Sequence, residues 1–266
     1  VTILQLEKIS IYFGGLKAVS NCNLTLEEGE LVGLIGPNGA GKTTVFNMIT
    51  GVYTPGDGAI RFTAGRPGLD RLQNIVGLKP YQITRMGMAR TFQNIRLFKD
   101  LSVLDNVRIA FHFSVKYNFM DAILRTAAYF NEEAAVAAKA MNLLKIFNID
   151  HKSEELAKNL SYGEQRKLEI VRALATNPKL LLLDEPAAGM NPQETRDLMK
   201  LIYFIREKFN LTILLIEHDM SLVMGICERI LVLDYGQTIA EGTPAEISKD
   251  PLVIKAYLGE ELDTGA

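Results

Sequence analysis

Several things are scarce in this chain, and each scarcity removes a class of function. There are two cysteines, Cys22 and Cys227, and their spacing fits neither a metal site nor a disulfide framework, so a reducing cytosol suits the chain. The 29 Lys and Arg stand against 31 Asp and Glu, a net charge of −2, which lacks the basic excess of a nucleic-acid binder. No apolar run approaches the roughly 20 residues that a membrane-spanning helix needs. Runs such as residues 180–183 and 213–216 have the length of buried strands. The first residues alternate polar Gln5, Glu7 and Lys8 with apolar neighbours and do not read as a signal peptide. There is no internal repeat, low-complexity tract or heptad pattern. What remains is globular: 48% hydrophobic and 23% charged over 266 residues, enough for one large α/β domain or a core with a sizeable subdomain.

The most informative stretch is Gly36-Pro37-Asn38-Gly39-Ala40-Gly41-Lys42-Thr43-Thr44, which fits the phosphate-loop pattern G-x-x-x-x-G-K-[ST]. Its context fits too, with a buried-type strand over 31–35 before it and an apolar-periodic helix over 43–50 after it. Glycines let successive backbone N–H groups turn toward phosphate oxygens with no Cβ in the way, and a helix N-terminus aims its positive dipole end at the same anion. Lys42 adds a mobile charge for the β- and γ-phosphates, and Thr43 adds a hydroxyl for Mg²⁺.

Further segments bear on the chemistry. The strand over 180–183 ends in Asp184-Glu185. Beside a phosphate loop, Asp184 can reach Mg²⁺ through its water shell and Glu185 can polarise the attacking water. Ser161 and Glu164, in Leu160-Ser161-Tyr162-Gly163-Glu164, fit a capping box. The same helix start, with Ser161 and the Gly163 N–H, also suits a second anion site, and local sequence does not choose between the two. Asn191-Pro192-Gln193-Glu194 is a good helix start that needs no function. His218 is one of three histidines and follows a strand at its carboxyl end, where ligands of parallel sheets bind. Gln93 means little by itself.

The rest of the chain supplies a frame for these motifs. Residues 1–30 alternate like antiparallel strands with a turn at Gly14-Gly15, and 59–63 reads as another strand. Alanine-rich patterns predict helices over 103–113, 121–130 and 131–147. Strand and helix then alternate from 180 to 240, which argues for a largely parallel sheet with helices on its faces.

In order, the phosphate loop, Gln93, Leu160 to Glu164, Leu183-Asp184-Glu185, Gly189-Met190-Asn191 and His218 resemble the ATP-binding-cassette (ABC) family of ATPases over nearly the whole chain. The resemblance implies an α/β fold: a P-loop NTPase core with a largely parallel sheet, an N-terminal antiparallel β subdomain and a helical insertion. The single ABC domain would place its core at 1–97 and 177–266 and its helical signature subdomain at 98–176. ATP and Mg²⁺ are the implied ligands, with Thr43, Gln93 and Asp184 toward the metal. Phe13 would stack on adenine, with Tyr12 the alternative. Glu185 would be the catalytic base, His218 the γ-phosphate sensor, and Gln93 the contact to metal and water that reports to a membrane partner. The family further implies a head-to-tail dimer with an identical or paralogous ATPase chain. Each ATP would lie between one phosphate loop and the other chain's signature, Ser161, Tyr162, Gly163 and Glu164. The chain departs from the usual pattern at Tyr162, where Gly is common, and at Asn191, where Asp is common.

The segments around Tyr12-Phe13-Gly14-Gly15, Arg90-Thr91-Phe92-Gln93, Ala187-Ala188-Gly189-Met190-Asn191-Pro192, Ile216-Glu217-His218-Asp219-Met220 and Ala256-Tyr257-Leu258-Gly259-Glu260 are similar to ATPase subunits of bacterial and archaeal importers for branched-chain and other hydrophobic amino acids. That likeness implies work at the cytoplasmic face of the cell membrane with membrane-spanning subunits, an indirect link to a substrate-binding protein, and no nucleic acid. The alternatives are the ATPase of a lipid or lipopolysaccharide exporter and, further off, a soluble cassette ATPase. Ile95, Leu97 and Phe98, close after Gln93, are the expected docking surface together with the helix from Val103; packing under the helical segment would explain them equally well.

Overall fold

The computed structural model describes residues 1–63, 71–111, 115 and 119–263, with side chains for all of these except 119 and 259–263. The chain divides into two compact units, Val1–Gln93 with Lys179–Ala266, and Asn94–Pro178.

The first unit holds two sheets. β1 (Thr2–Phe13) and β2 (Leu16–Glu27) form an antiparallel hairpin whose turn puts Gly14 at φ 58°. β4 (Asp57–Phe62) pairs with the other edge of β1, and the two-residue β5 (Gln73–Asn74) extends the sheet from β4. The second sheet comprises β3 (Leu31–Ile35), β6 (Met88–Arg90), β7 (Leu180–Asp184), β8 (Thr212–Ile216), β9 (Arg229–Asp234) and β10 (Gln237–Gly242). Its order is β10-β9-β3-β8-β7-β6, parallel throughout except for the β9–β10 hairpin.

The two-residue period of a strand explains the core. Val32 and Leu34, Leu180 and Leu182, Leu214 and Ile216, and Leu231 and Leu233 alternate onto one face. There they join Val45, Phe46 and Ile49 of helix α1 (Lys42–Ile49) and the inner residues of the antiparallel sheet. Truncating such a leucine to alanine costs about 2–5 kcal/mol. The intervening residues are buried as well, so both faces are covered, as a parallel sheet requires. A Cβ on Gly33 would meet Cys227 and Val223, which places helix α8 (Met220–Ile226) on that second face.

α2 (Pro80–Arg85), α7 (Pro192–Phe209), α9 (Pro244–Ile247) and α10 (Pro251–Asp263) complete this unit. α7 begins in the capping box that its sequence suggests. Asn191 accepts from Gln193 N and Glu194 N, and Glu194 Oε2 accepts from Asn191 N. The helix ends at Asn210 with φ 50°. β5, β6 and α2 were not legible in the sequence, because two or three strand residues are too few for a periodicity.

The second unit is helical: α3 (Val103–Ala110), α4 (Phe119–Leu124), α5 (Ala127–Ile146) and α6 (Tyr162–Ala175). α3 packs on both α5 and α6, and α5 buries Val136, Ala140 and Leu144 along one stripe. The helix break expected between 130 and 131 lies earlier. Arg125 takes φ 47°, and Thr126 caps α5 by accepting from Tyr129 N. Its hydroxyl also donates to Asp121 Oδ1 over 3.0 Å, so the Thr side chain ends one helix and starts the next. The segment after Gln93 belongs to this unit because helix side chains hold it. Arg96 N donates to Glu169, the Arg172 guanidinium donates to Arg96 O, and Asn106 both accepts from Phe98 N and donates to Phe98 O. Ile95 and Leu97 are half-buried and Phe98 is 47% exposed, with the Arg172 guanidinium 5.0 Å from its ring.

Candidate functional site

The site lies at the carboxyl ends of β3, β7 and β8, in the first unit. β3 runs into a loop whose backbone only glycine can follow at two points. Gly36 has φ 147° and a Cβ there would sit 1.9 Å from Leu233 O; Gly41 has φ 99° and a Cβ there would sit 2.7 Å from Ala18 O. Gly41 is the N-cap of α1 and gives it no side-chain cap, and the first turn holds no acidic residue. The helix therefore starts with uncapped N–H groups and an unopposed positive dipole end, the arrangement that receives an anion. Lys42 is buried, and its ammonium turns back to donate to Gly36 O over 2.6 Å and Pro37 O over 2.8 Å, inside the loop.

A cleft of about 450 Å³ opens over this loop, lined by Asn38, Gly39, Ala40, Gly41, Lys42, Thr43 and Thr44 on one side. Phe13, Lys17, Tyr235 and Glu185 line it elsewhere. Phe13, at the end of β1, is 44% exposed and meets the Tyr53 ring edge-on at 5.2 Å. Tyr12 is not part of the lining; its ring stands 5.4 Å from the Lys17 ammonium. Tyr235 and Lys17 were missed from sequence. Tyr235 is a turn residue between β9 and β10, 83% exposed, and only the order of the strands brings that turn to the phosphate loop.

Three of the sequence-derived residues meet at the Glu185 carboxylate. Gln93 Nε2 donates to Glu185 Oε2 over 2.6 Å, and His218 Nδ1 stands 3.7 Å from the same oxygen. Glu185 itself has φ 45°, a strained value for a residue with a Cβ, and its N–H donates to Ile216 O on β8. Gln93 and His218 lie outside the cleft lining and reach it through Glu185.

Asp184 is nearly buried, and its Oδ2 pairs with the Arg90 guanidinium over 2.5 Å. Arg90 also donates to Asn47 Oδ1 over 2.7 Å, and its guanidinium lies 5.5 Å from the Phe46 ring and 5.1 Å from the Phe92 ring. Arg90 stands in a segment that the sequence likeness includes, but the sequence gives it no role, because its partners are 43 and 94 residues away. The loops after β7 and β8 are joined by Glu217, whose carboxyl is pushed up by burial against the pull of the backbone N–H groups it accepts.

In the second unit the signature residues form the expected capping box. Ser161 Oγ accepts from Glu164 N, and Glu164 Oε2 accepts from Ser161 N over 3.0 Å and from Ser161 Oγ over 2.9 Å. A hydrogen bond from Lys152 holds the Glu164 carboxyl below its ordinary range. Gly163 faces open space, where an added Cβ would meet nothing within 4 Å. Tyr162 is 43% exposed, and its hydroxyl accepts from Arg166, which pairs with Glu169 in the interior.

The loop backbone fits a nucleotide phosphate: the close packing of Gly36 on Leu233 and of Gly41 on Ala18 fixes a turn that only glycine follows, and the helix start it leads into has no side-chain cap and no acidic residue in its first turn. The candidate metal residues offer oxygen donors, a hydroxyl from Thr43, an amide from Gln93 and a carboxylate from Asp184, which is the donor chemistry that Mg²⁺ takes. Among the described residues, no helix is long and apolar enough to cross a membrane.

Residues 19–188 match the profile of the ABC transporter family, and residues 237–263 match that of the branched-chain amino acid ATP-binding cassette transporter. The chain is similar to the high-affinity branched-chain amino acid transport ATP-binding protein LivG of Salmonella typhimurium, 46% identical over 258 residues, 97% of this chain and 98% of that protein. It is 35% identical over 259 residues to the lipopolysaccharide export system ATP-binding protein LptB of Escherichia coli, covering 97% of this chain and 98% of that one. Among solved structures, it resembles the ADP conformation of MJ1267, an ATP-binding cassette of an ABC transporter, with a TM-score of 0.82 and 31% identity over 97% of this chain and 99% of that one.

Proposed function

The chain belongs to the ABC transporter family of ATP-binding cassettes, and from that membership we propose that it hydrolyses ATP to power a membrane importer of branched-chain or other hydrophobic amino acids. The observation that carries the hydrolytic reading is the meeting of Gln93 and His218 on Glu185 at the edge of the phosphate-loop cleft. The cargo reading is supported by the 46% identity to LivG, against 35% to the exporter protein LptB, and by the match at 237–263.

In this reading the N–H groups of the loop and the start of α1, with the Lys42 ammonium, hold the β- and γ-phosphates. Gly36, Pro37, Asn38, Gly39, Ala40, Gly41, Thr43 and Thr44 shape that cradle, and Phe13 stacks on the base. Thr43, Gln93 and Asp184 hold Mg²⁺, which when bound neutralises charge on the phosphate oxygens. Glu185 takes the proton of the attacking water at its carboxylate, Gln93 orients that carboxylate and the water, and His218 donates a hydrogen bond toward the γ-phosphate. Ser161, Tyr162, Gly163 and Glu164 complete the site of a second ATPase chain, identical or paralogous, in a head-to-tail dimer.

The same reading puts the chain at the cytoplasmic face of the membrane, bound to membrane-spanning subunits and through them linked to a substrate-binding protein. A short amphipathic helix of a membrane subunit would dock against Ile95, Leu97 and Phe98. The test is co-purification with those subunits and ATP-driven uptake of leucine, isoleucine or valine in vesicles. A Phe98→Asp chain that folds and binds ATP but loses both supports the docking surface. Persistent uptake by that variant moves the docking site elsewhere, and absence of amino-acid uptake by the wild-type assembly rejects the cargo.

A further inference from the structure

Glu217 is fully buried, yet no step of the proposed hydrolysis uses it. It follows β8 directly. β7 and β8 run in register with Asp184 beside Ile216, so Glu217 lies level with Glu185 on the neighbouring strand. Its two oxygens take three backbone N–H groups: Oε1 accepts from Ala187 N over 2.7 Å, and Oε2 accepts from His218 N over 3.1 Å and Asp219 N over 3.3 Å.

The two bonds to His218 and Asp219 close the residue's own turn, which many polar side chains do. The third is the shortest, and it leaves that turn for the loop two residues beyond Glu185. One carboxylate thus ties the loop carrying Glu185 to the loop carrying His218. The bond from Glu185 N to Ile216 O and the approach of His218 Nδ1 to Glu185 Oε2 at 3.7 Å run across the same two strand ends. An ionised group in the interior is costly unless it is well satisfied, and among the described residues no lysine or arginine pairs with this one; its charge is met by the three N–H groups and by His218 Nδ1 at 3.9 Å. The geometry demands a carboxylate because both oxygens must accept. A glutamine of the same length has one acceptor, and its NH₂ would face a backbone N–H on one side.

We propose that Glu217 is a positioning residue for hydrolysis, holding Glu185 and His218 at their working separation across the ends of β7 and β8. This rests on the hydrolytic reading of those two residues.

The test compares steady-state ATPase and ATP binding of the full chain in wild type, Glu217→Gln, His218→Ala, Glu185→Gln and the double variant Glu217→Gln/His218→Ala. The expected result is a kcat about tenfold lower for Glu217→Gln, the scale of coupling within one hydrogen-bond network, with ATP affinity within about twofold of wild type. The double variant should lose less than the product of the two single losses. Should Glu217→Gln not fold, Glu217→Ala replaces it, since it removes the buried charge and introduces no misplaced amide. An unchanged kcat in a folded variant overturns the inference. So does a parallel fall of kcat and affinity, strict additivity with His218→Ala, or unfolding of both Glu217 variants, which would make the residue a folding element. Silent Glu185→Gln and His218→Ala variants would instead overturn the hydrolytic reading itself.

Discussion

Gln93 Nε2 donates to Glu185 Oε2 over 2.6 Å, joining the loop after β6 to the loop after β7 across 92 residues of sequence. The donor holds the carboxylate that faces the phosphate-loop cleft, and His218 Nδ1 stands 3.7 Å from the same oxygen. A base so placed is useful only in ionised, oriented form, and its removal gives the clearest prediction.

Glu185→Gln should bind ATP with wild-type affinity and hydrolyse it roughly 10²–10⁴-fold more slowly, the usual worth of a positioned general base. The amide keeps the hydrogen bond from Gln93 through its own oxygen, so the loop stays in place while proton acceptance is lost. One negative charge fewer beside the γ-phosphate should also prolong the ATP-bound dimer. Single-turnover ATPase and size-exclusion chromatography with ATP check this, and near wild-type turnover would reject the assignment.

Phe13→Ala should weaken ATP and GTP equally, by about 1–3 kcal/mol, because base–aromatic stacking reads no hydrogen-bond pattern. The ring is 44% exposed, so stability should hardly change. Titration with both nucleotides decides; a loss confined to ATP would mean that the base is read by its edge.

Ser161 makes both bonds of its capping box, and Asn can cap as well. Ser161→Asn should therefore leave the melting temperature within about 2 °C, as a change of a few tenths of a kcal/mol implies. If the residue also meets the γ-phosphate of a partner chain, ATPase falls. Mixing Ser161→Asn chains with Lys42→Ala chains then restores part of the activity, since one of the two composite sites is intact. An active, monomeric Ser161→Asn chain would leave Ser161 as a helix cap alone.

Arg90→Met should destabilise the chain by about 3–5 kcal/mol, a melting point lower by roughly 6–20 °C, because it leaves the Asp184 carboxylate buried without its cation. Adding Asp184→Asn should recover part of that loss, since the orphaned charge goes with it. Calorimetry of the two variants measures the recovery, and equal melting points for both would show that Arg90 acts through its packing on Phe46 and Phe92 instead.

Sequence alone determined what is local. The phosphate loop is contiguous, and its glycines prescribe φ values that few other residues take, so residues 36–44 announce their own backbone. The capping boxes at Ser161 and Asn191 span four residues each, and the strands at 180–184 and 212–216 are mostly apolar runs. Tertiary structure decided what depends on strand order. β7 and β8 are 27 residues apart along the chain yet adjacent in the sheet, and only that adjacency puts His218 on Glu185 and Glu217 under Ala187. Arg90 on the edge strand β6 meets Asp184 for the same reason, and the β9–β10 turn delivers Tyr235 to a loop that precedes it by some 200 residues. The break before α5 was decided by one residue in the left-handed region, Arg125, which no periodicity of alanines reports. Short-range patterns are written in residue types because a turn or cap involves only its neighbours. Long-range pairings are set by which hydrophobic faces bury each other, and many sequence-distant residues satisfy that condition equally well until the sheet is assembled.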